Sequence, residues 1–302
     1  MPVQVRSTDS EVVVFVSVCL DGRGPFPFLV DTGASSSLVA ASLASRSGLQ
    51  VEGSQRFAGV GCTGSAQSVD LPSWTVGGLL LDGQVVLSEQ VPGLGGKGQP
   101  QGVVGSDVWS RFGAIRLDFQ KQTLTTGGPE QSQIFGRRVI ATPSPSAAAL
   151  DLVSAGAMPV GARIIEGPGF AQATADIRLA GHSSQWIIDT GAARSAANDR
   201  SHGFSSLTKT ATSEVAITAC GPATAPLVRS GSWSIGNMPL KPQLLGALDL
   251  AGLGGVGGVF GSDTLSEFGY FVLDYQGATL FLGNSKQARA EANSRPGKPS
   301  RT

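Results

Sequence analysis

Four short segments in the first half of this chain return in the second half, in the same order and at nearly constant spacing. Phe28-Leu29-Val30-Asp31-Thr32-Gly33-Ala34 returns as Trp186-Ile187-Ile188-Asp189-Thr190-Gly191-Ala192, an offset of 189 − 31 = 158. Gly102-Val103-Val104-Gly105-Ser106-Asp107 returns as Gly258-Val259-Phe260-Gly261-Ser262-Asp263, and Leu117-Asp118-Phe119-Gln120 as Leu273-Asp274-Tyr275-Gln276, both at offset 156 (261 − 105 and 273 − 117). Ser73-Trp74-Thr75-Val76-Gly77 returns as Ser232-Trp233-Ser234-Ile235-Gly236, and Cys62 has its counterpart in Cys220. A repeat of this kind dictates the architecture before any single residue is considered. The chain reads as a tandem duplication, with one unit over 1–125 and the other over 158–284. Residues 126–157 read as a linker marked by Gly127-Gly128-Pro129 and Thr142-Pro143-Ser144-Pro145-Ser146. Residues 285–302, polar and free of aromatics, read as a disordered tail.

Each unit reads as β-structure. Glu11–Val18 and Ala173–Leu179 carry strand patterns, and turn signals follow at Asp21-Gly22-Arg23-Gly24 and Ala180-Gly181-His182. One short helix per unit is expected, with Ser106-Asp107 or Ser262-Asp263 as its N-cap and Gly113 or Gly269 as its stop. Trp74 and Trp233 read as core. Asp118 and Asp274 read as structural residues at strand ends.

Composition narrows the function. The 302 residues carry 22 Lys+Arg and 22 Asp+Glu, so no basic face marks a nucleic-acid binder. Three Cys and two His offer no metal-ligand spacing. No apolar run is long enough to span a membrane. No apolar leader precedes the first strand, and a soluble chain in the cytoplasm is the expectation.

The chemistry lies in the two Asp-Thr-Gly turns. A carboxylate placed directly after buried apolar residues is desolvated, which raises its pKa. Two such turns related by the repeat can bring Asp31 and Asp189 together. Carboxylates in contact cannot both ionise easily, so they share one proton, and one acts as base while the other acts as acid. The same pair can deprotonate a water and protonate a peptide carbonyl oxygen.

Both units resemble retropepsin-like aspartic proteases. The resemblance rests on the doubled Asp-Thr-Gly-Ala and on the apolar-apolar-Gly segments Val103-Val104-Gly105 and Val259-Phe260-Gly261. It rests also on the helix and the Leu-Asp-aromatic strand that follow. It implies an all-β fold of two β-barrel lobes related by a pseudo-two-fold axis, with one active site formed within a single chain. It implies Asp31 and Asp189 as the catalytic dyad, and Thr32, Gly33, Thr190 and Gly191 as its support. Gly59-Val60-Gly61-Cys62-Thr63-Gly64 and Thr218-Ala219-Cys220-Gly221-Pro222 would form two flaps. Ala34, Val60, Gly61, Ala192, Ala219 and Gly221 would line the substrate channel. The substrate would be a polypeptide bound as an added strand, with no metal or organic cofactor, and the protein would be a monomer.

Ser35 and Ala193 replace the acidic residue that retropepsins often carry there. Ala34 and Ala192 offer no hydroxyl to stabilise the charged dyad, so a pH optimum nearer neutral than pepsin's is expected. A second reading keeps the same fold as a peptide-binding or inhibitory module with little turnover, and a third pairs two whole chains. Cys62 and Cys220 would either latch the flaps, if the tips meet, or remain unpaired thiols on loops. Cys19 reads as a core thiol.

Overall fold

A computed structural model describes residues 1–128, 138–140, 144–167 and 169–284. The predicted tail, 285–302, lies outside the described residues, as do parts of the linker. Among the described residues the chain is mostly strand, in an 8-stranded and a 15-stranded sheet. No described helix is long and apolar enough to cross a membrane.

The first sheet is a curled barrel that closes on itself. Strand Val12–Leu20 pairs with Arg23–Val30 on one side and with the long strand Cys62–Val76 on the other. The inside is filled by Val14, Val18, Phe28, Val30, Leu71 and Trp74, all buried. The second barrel is built likewise around Ile177, Trp186, Ile188, Trp233 and Phe260. Trp233 packs between Trp186 and Phe260, with ring centroids 6.1 and 5.9 Å away. Both repeated tryptophans are therefore core.

The barrels meet on a shared sheet. Strand Ala114–Asp118 of the first unit pairs antiparallel with Tyr270–Asp274 of the second. The register sets Arg116 opposite Val272, which is its own counterpart in the repeat (272 − 116 = 156). A residue that faces its own copy marks a two-fold axis, so the two units are related by a pseudo-two-fold through this pair. Burial of Leu117, Phe271, Leu273 and Leu280 in the main core cluster fuses the two barrels into one body.

The described part of the linker docks beneath this sheet. Ser146 caps the short helix Ala147–Leu150, and its N–H and hydroxyl both donate to Asp274. Arg116 donates to the Leu152 carbonyl and to Ser154 Oγ. Asp118 accepts the Lys121 N–H at its strand end and pairs with Arg116.

Two local readings change. Asp107 and Asp263 do not cap their helices. The N-caps are Gly105 and Gly261, without a side-chain capping bond. Both aspartates sit two positions further in, and packing turns their carboxylates across the lobe toward Ser37 and Ser195. The first unit also holds an additional helix, Ala41–Ser47. Alanine and leucine favour it, Leu43 and Ala44 are buried, and Gly48 ends it in the left-handed region. The second unit has Asp199-Arg200-Ser201-His202-Gly203 at this place, in turns, followed by the single 3-10 turn Phe204–Ser206.

Candidate active site

The two Asp-Thr-Gly turns leave the ends of strands Arg23–Val30 and His182–Asp189 and meet on the pseudo-two-fold. Beside each strand runs the repeated apolar-apolar-Gly segment, in parallel. Val30 pairs with Val104, and Ile188 with Phe260. The Asp31 N–H donates to the Val104 carbonyl at 3.0 Å. Gly105 and Gly261 pass so close to the backbone after the turns that an added Cβ would lie 2.8 Å from Ser36 C and from Ala192 O. Only glycine fits there.

The threonines lock the turns together. The Thr32 N–H donates to Thr190 Oγ1 at 3.0 Å, and the Thr190 N–H donates to Thr32 Oγ1 at 3.1 Å. Each hydroxyl then donates to the opposite strand, Thr32 to the Ile188 carbonyl and Thr190 to the Val30 carbonyl, both at 2.7 Å. Both residues are fully buried. Every bond crosses between the units, so neither turn has its geometry without the other.

The aspartates are held inside this frame. Asp31 Oδ1 accepts the N–H groups of Gly33 and Ala34 at 2.9 and 2.8 Å. Asp189 Oδ1 accepts those of Gly191 and Ala192 at 2.8 and 3.0 Å. Each glycine also faces the other carboxyl. A methyl at Gly33 would collide with the Asp189 carboxyl, and one at Gly191 with that of Asp31. The gap that holds the dyad is therefore the missing side chain of the opposite glycine.

Burial raises the pKa of the Asp31 carboxyl well above the usual carboxylate range, and the Asp189 charge raises it further. Burial raises Asp189 as well, but the Ala192 N–H, the hydrogen bond with Asp31 and the Gly191 N–H stabilise its anion. Both carboxyls are raised, so the pair can hold one proton between them. This is one acid and one base at the same pH.

Behind each turn lies a buried carboxylate that sequence reasoning took for a cap. Ser37 Oγ donates to Asp107 Oδ1 at 2.8 Å and accepts the Gly105 N–H at 3.0 Å. Ser195 Oγ donates to Asp263 Oδ1 at 2.7 Å and accepts the Gly261 N–H at 2.9 Å. These aspartates tie the segment after each Asp-Thr-Gly turn to the segment beneath it. Burial raises both of their pKa values, against the hydrogen bonds from their serines. The repeat of Ser37 as Ser195, also 158 residues on (195 − 37), was the signal in the sequence.

The two hairpins read as flaps meet at their tips. One consists of Val51–Gly59 and Cys62–Val76, the other of Thr208–Thr218 and Gly221–Arg229. Val60, with Ala192, packs on the second unit's cluster of Ile187, Ala196, Leu250, Val256 and Val259. Gly61 takes the left-handed conformation at the first tip (φ 70°). Ala219 lies against Gly59, and Gly221 lies near Pro92. Cys62 and Cys220 form a disulfide, with their Cα atoms 6.4 Å apart. Cys19 is a free thiol, partly exposed.

Residues 16–108 match a family model described as "Aspartyl protease". That stretch holds the Asp31 turn, the first flap and the Gly102–Gly105 segment. No curated protein matches the chain. Among solved structures, the crystal structure of aspartic proteinase from Irpex lacteus aligns with a TM-score of 0.50 at 15% identity, covering 93% of this chain and 96% of that one. The fold of this chain is thus the two-lobed, all-β fold of an aspartic proteinase.

Proposed function

We propose that this chain, with the fold of an aspartic proteinase and the aspartyl-protease pattern in its N-terminal lobe, is a single-chain endopeptidase. Its lobes, 1–125 and 158–284, each give one half-site, and a monomer is sufficient. The observation that supports this most is the reciprocal threonine bonding, because it holds Asp31 and Asp189 in one shared-proton pair at the floor between the lobes. A polypeptide lies extended between flap tips and floor, lined by Ala34, Val60, Gly61, Ala192, Ala219 and Gly221.

With the shared proton placed on Asp31, the reaction runs in four moves. A water between the carboxyls loses a proton to Asp189, and its oxygen attacks the peptide carbonyl carbon. Asp31 gives its proton to the carbonyl oxygen, so a neutral diol forms without a free oxyanion. The proton on Asp189 then passes to the peptide nitrogen. The carbon–nitrogen bond breaks, a diol hydroxyl returns its proton to Asp31, and acid and amine leave. General acid and base assistance of this kind contributes roughly 10²–10⁴-fold each.

The test is cleavage of an unfolded polypeptide between pH 3 and 8 by the wild type, Asp31→Asn and Asp189→Asn, with products mapped by mass. The expected result is internal cleavage by the wild type and a loss of at least about 10³-fold in either variant. Equal cleavage by either variant would falsify the assignment.

A further inference from the structure

The repeat makes three residue pairs meet their own counterparts: Arg116 with Val272 in the shared sheet, Thr32 with Thr190 beneath the dyad, and Cys62 with Cys220 at the flap tips. The third pair is covalent. It ties the lobes together across the channel, where the first two tie them below it.

The flap tips are also seated on each other's lobes. A Cβ at Gly252 in the second lobe would lie 3.4 Å from the Gly59 carbonyl and 3.6 Å from the Cys62 carbonyl. A Cβ at Gly93 in the first lobe would lie 3.3 Å from Ile217 Cγ2 on the second flap. Val60 adds its side chain to the second lobe's apolar cluster. These are small van der Waals contacts between two long hairpins whose tip halves are largely exposed. They can open and close. The disulfide cannot, because bridged Cα atoms stay within roughly 7 Å.

A closed bond has a consequence for substrates. An extended chain that adds itself between flaps and floor must either slide in end-first or enter sideways past the tips. With Cys62 joined to Cys220, the sideways route is barred. Cys220 is exposed and Cys62 partly so, so a thiolate can reach the bond from solvent.

We propose that Cys62–Cys220 is a thiol–disulfide exchange site that gates the channel. This rests on the protease reading of the dyad. In the oxidised state the flaps are latched and a polypeptide can enter only by threading end-first. A dithiol reductant opens the latch. Its thiolate attacks one sulfur and forms a mixed disulfide, and its second thiol displaces that bond. The protein gains two thiols and the reductant leaves as a cyclic disulfide. The enzyme is then active in a reducing compartment and latched in an oxidising one.

The test uses full-length protein purified without reductant. Alkylation and intact mass should report one labelled cysteine before reduction, Cys19, and three after it. Three labelled before reduction would overturn the proposal. Insulin B chain with its cysteines converted to cysteic acid serves as substrate, so that the reductant acts on the enzyme alone. Oxidised wild type, dithiothreitol-reduced wild type and the Cys62→Ser/Cys220→Ser variant are compared. Reduction should speed cleavage by at least about tenfold, as expected of lid gating, and the variant should match the reduced enzyme with or without dithiothreitol. Equal rates for oxidised and reduced wild type would make the bond a staple and overturn the proposal. If none of the three cleaves, the protease reading fails separately. The gate is then decided by amide hydrogen exchange over residues 57–64 and 216–222, which should quicken on reduction; unchanged exchange overturns it.

Discussion

The turns of the two lobes share one design, but the residues around them do not. Thr32 and Thr190 exchange matching bonds, and Asp31 and Asp189 accept matching N–H pairs. Around them the match ends. Gln172 Nε2 donates to the Gly33 carbonyl, whereas the second turn is held at Ala193 by the backbone N–H of Val12. Arg194, just after the second turn, forms an ion pair with Glu214 at 2.7 Å, and Ser36 stands at the equivalent place in the first. Buried Tyr275 replaces Phe119, and burial pushes its phenol well up, so that it stays neutral. The difference separates two requirements. Holding two carboxyls together demands symmetry, because each turn is the other's frame. Assigning acid and base demands that the surroundings differ.

The symmetric part should break hardest. Gly33→Ala and Gly191→Ala each place a methyl against the opposite carboxyl, and either should lower kcat by about 10²-fold or more. A harmless substitution at one site alone would show that the dyad gap is not shared equally. Loss of the bridge comes next. It closes a separation of 158 residues, and Cys62→Ser/Cys220→Ser should unfold about 3–5 kcal/mol more easily in denaturant than the oxidised wild type. Thr32→Ala and Thr190→Ala each leave a buried N–H and a buried carbonyl of the other lobe unpaired. Each should cost about 2–3 kcal/mol, and the two costs should be equal, as seen by thermal melting.

The asymmetric part makes smaller predictions. The folded-state pKa of Asp31 is raised above the ordinary 3.8. Its contribution to stability is therefore fully present below that value and is lost as pH rises through the folded-state pKa. Asp31→Asn should melt above the wild type at neutral pH, and the gap should close on acidification toward pH 3. A constant gap would mean that the carboxyl is not desolvated. Gln172→Ala removes one hydrogen bond to one turn and should cost about 1 kcal/mol. Its effect on the pH–rate profile should exceed its effect on melting, since it touches only the Asp31 side.

How much was legible in the sequence follows the same division. The dyad, its threonines and its glycines could be read because the repeat printed each of them twice. The tryptophans and the two barrels were legible for the same reason. What the sequence withheld depends on contacts between distant residues. Asp107 followed a helix-start pattern, yet packing turned it toward Ser37, 70 residues away. Gln172 finds its partner 139 residues away and has no counterpart in the first lobe to mark it. The helix Ala41–Ser47 was hidden because its seven residues are too few to show a period. The pairing of Cys62 with Cys220 needed the flap tips to be placed before the two options could be separated.

The central claim is that one proton is shared by a carboxyl from each lobe. The direct measurement is carbon-13 NMR of aspartate side-chain carboxyls, titrated from pH 2 to 9 in the wild type and in Asp189→Asn. Asp31 and Asp189 should titrate together in two well-separated steps, and the upper step should shift downward once the Asp189 charge is gone. Two independent titrations near the ordinary carboxylate value, unchanged by the substitution, would contradict it.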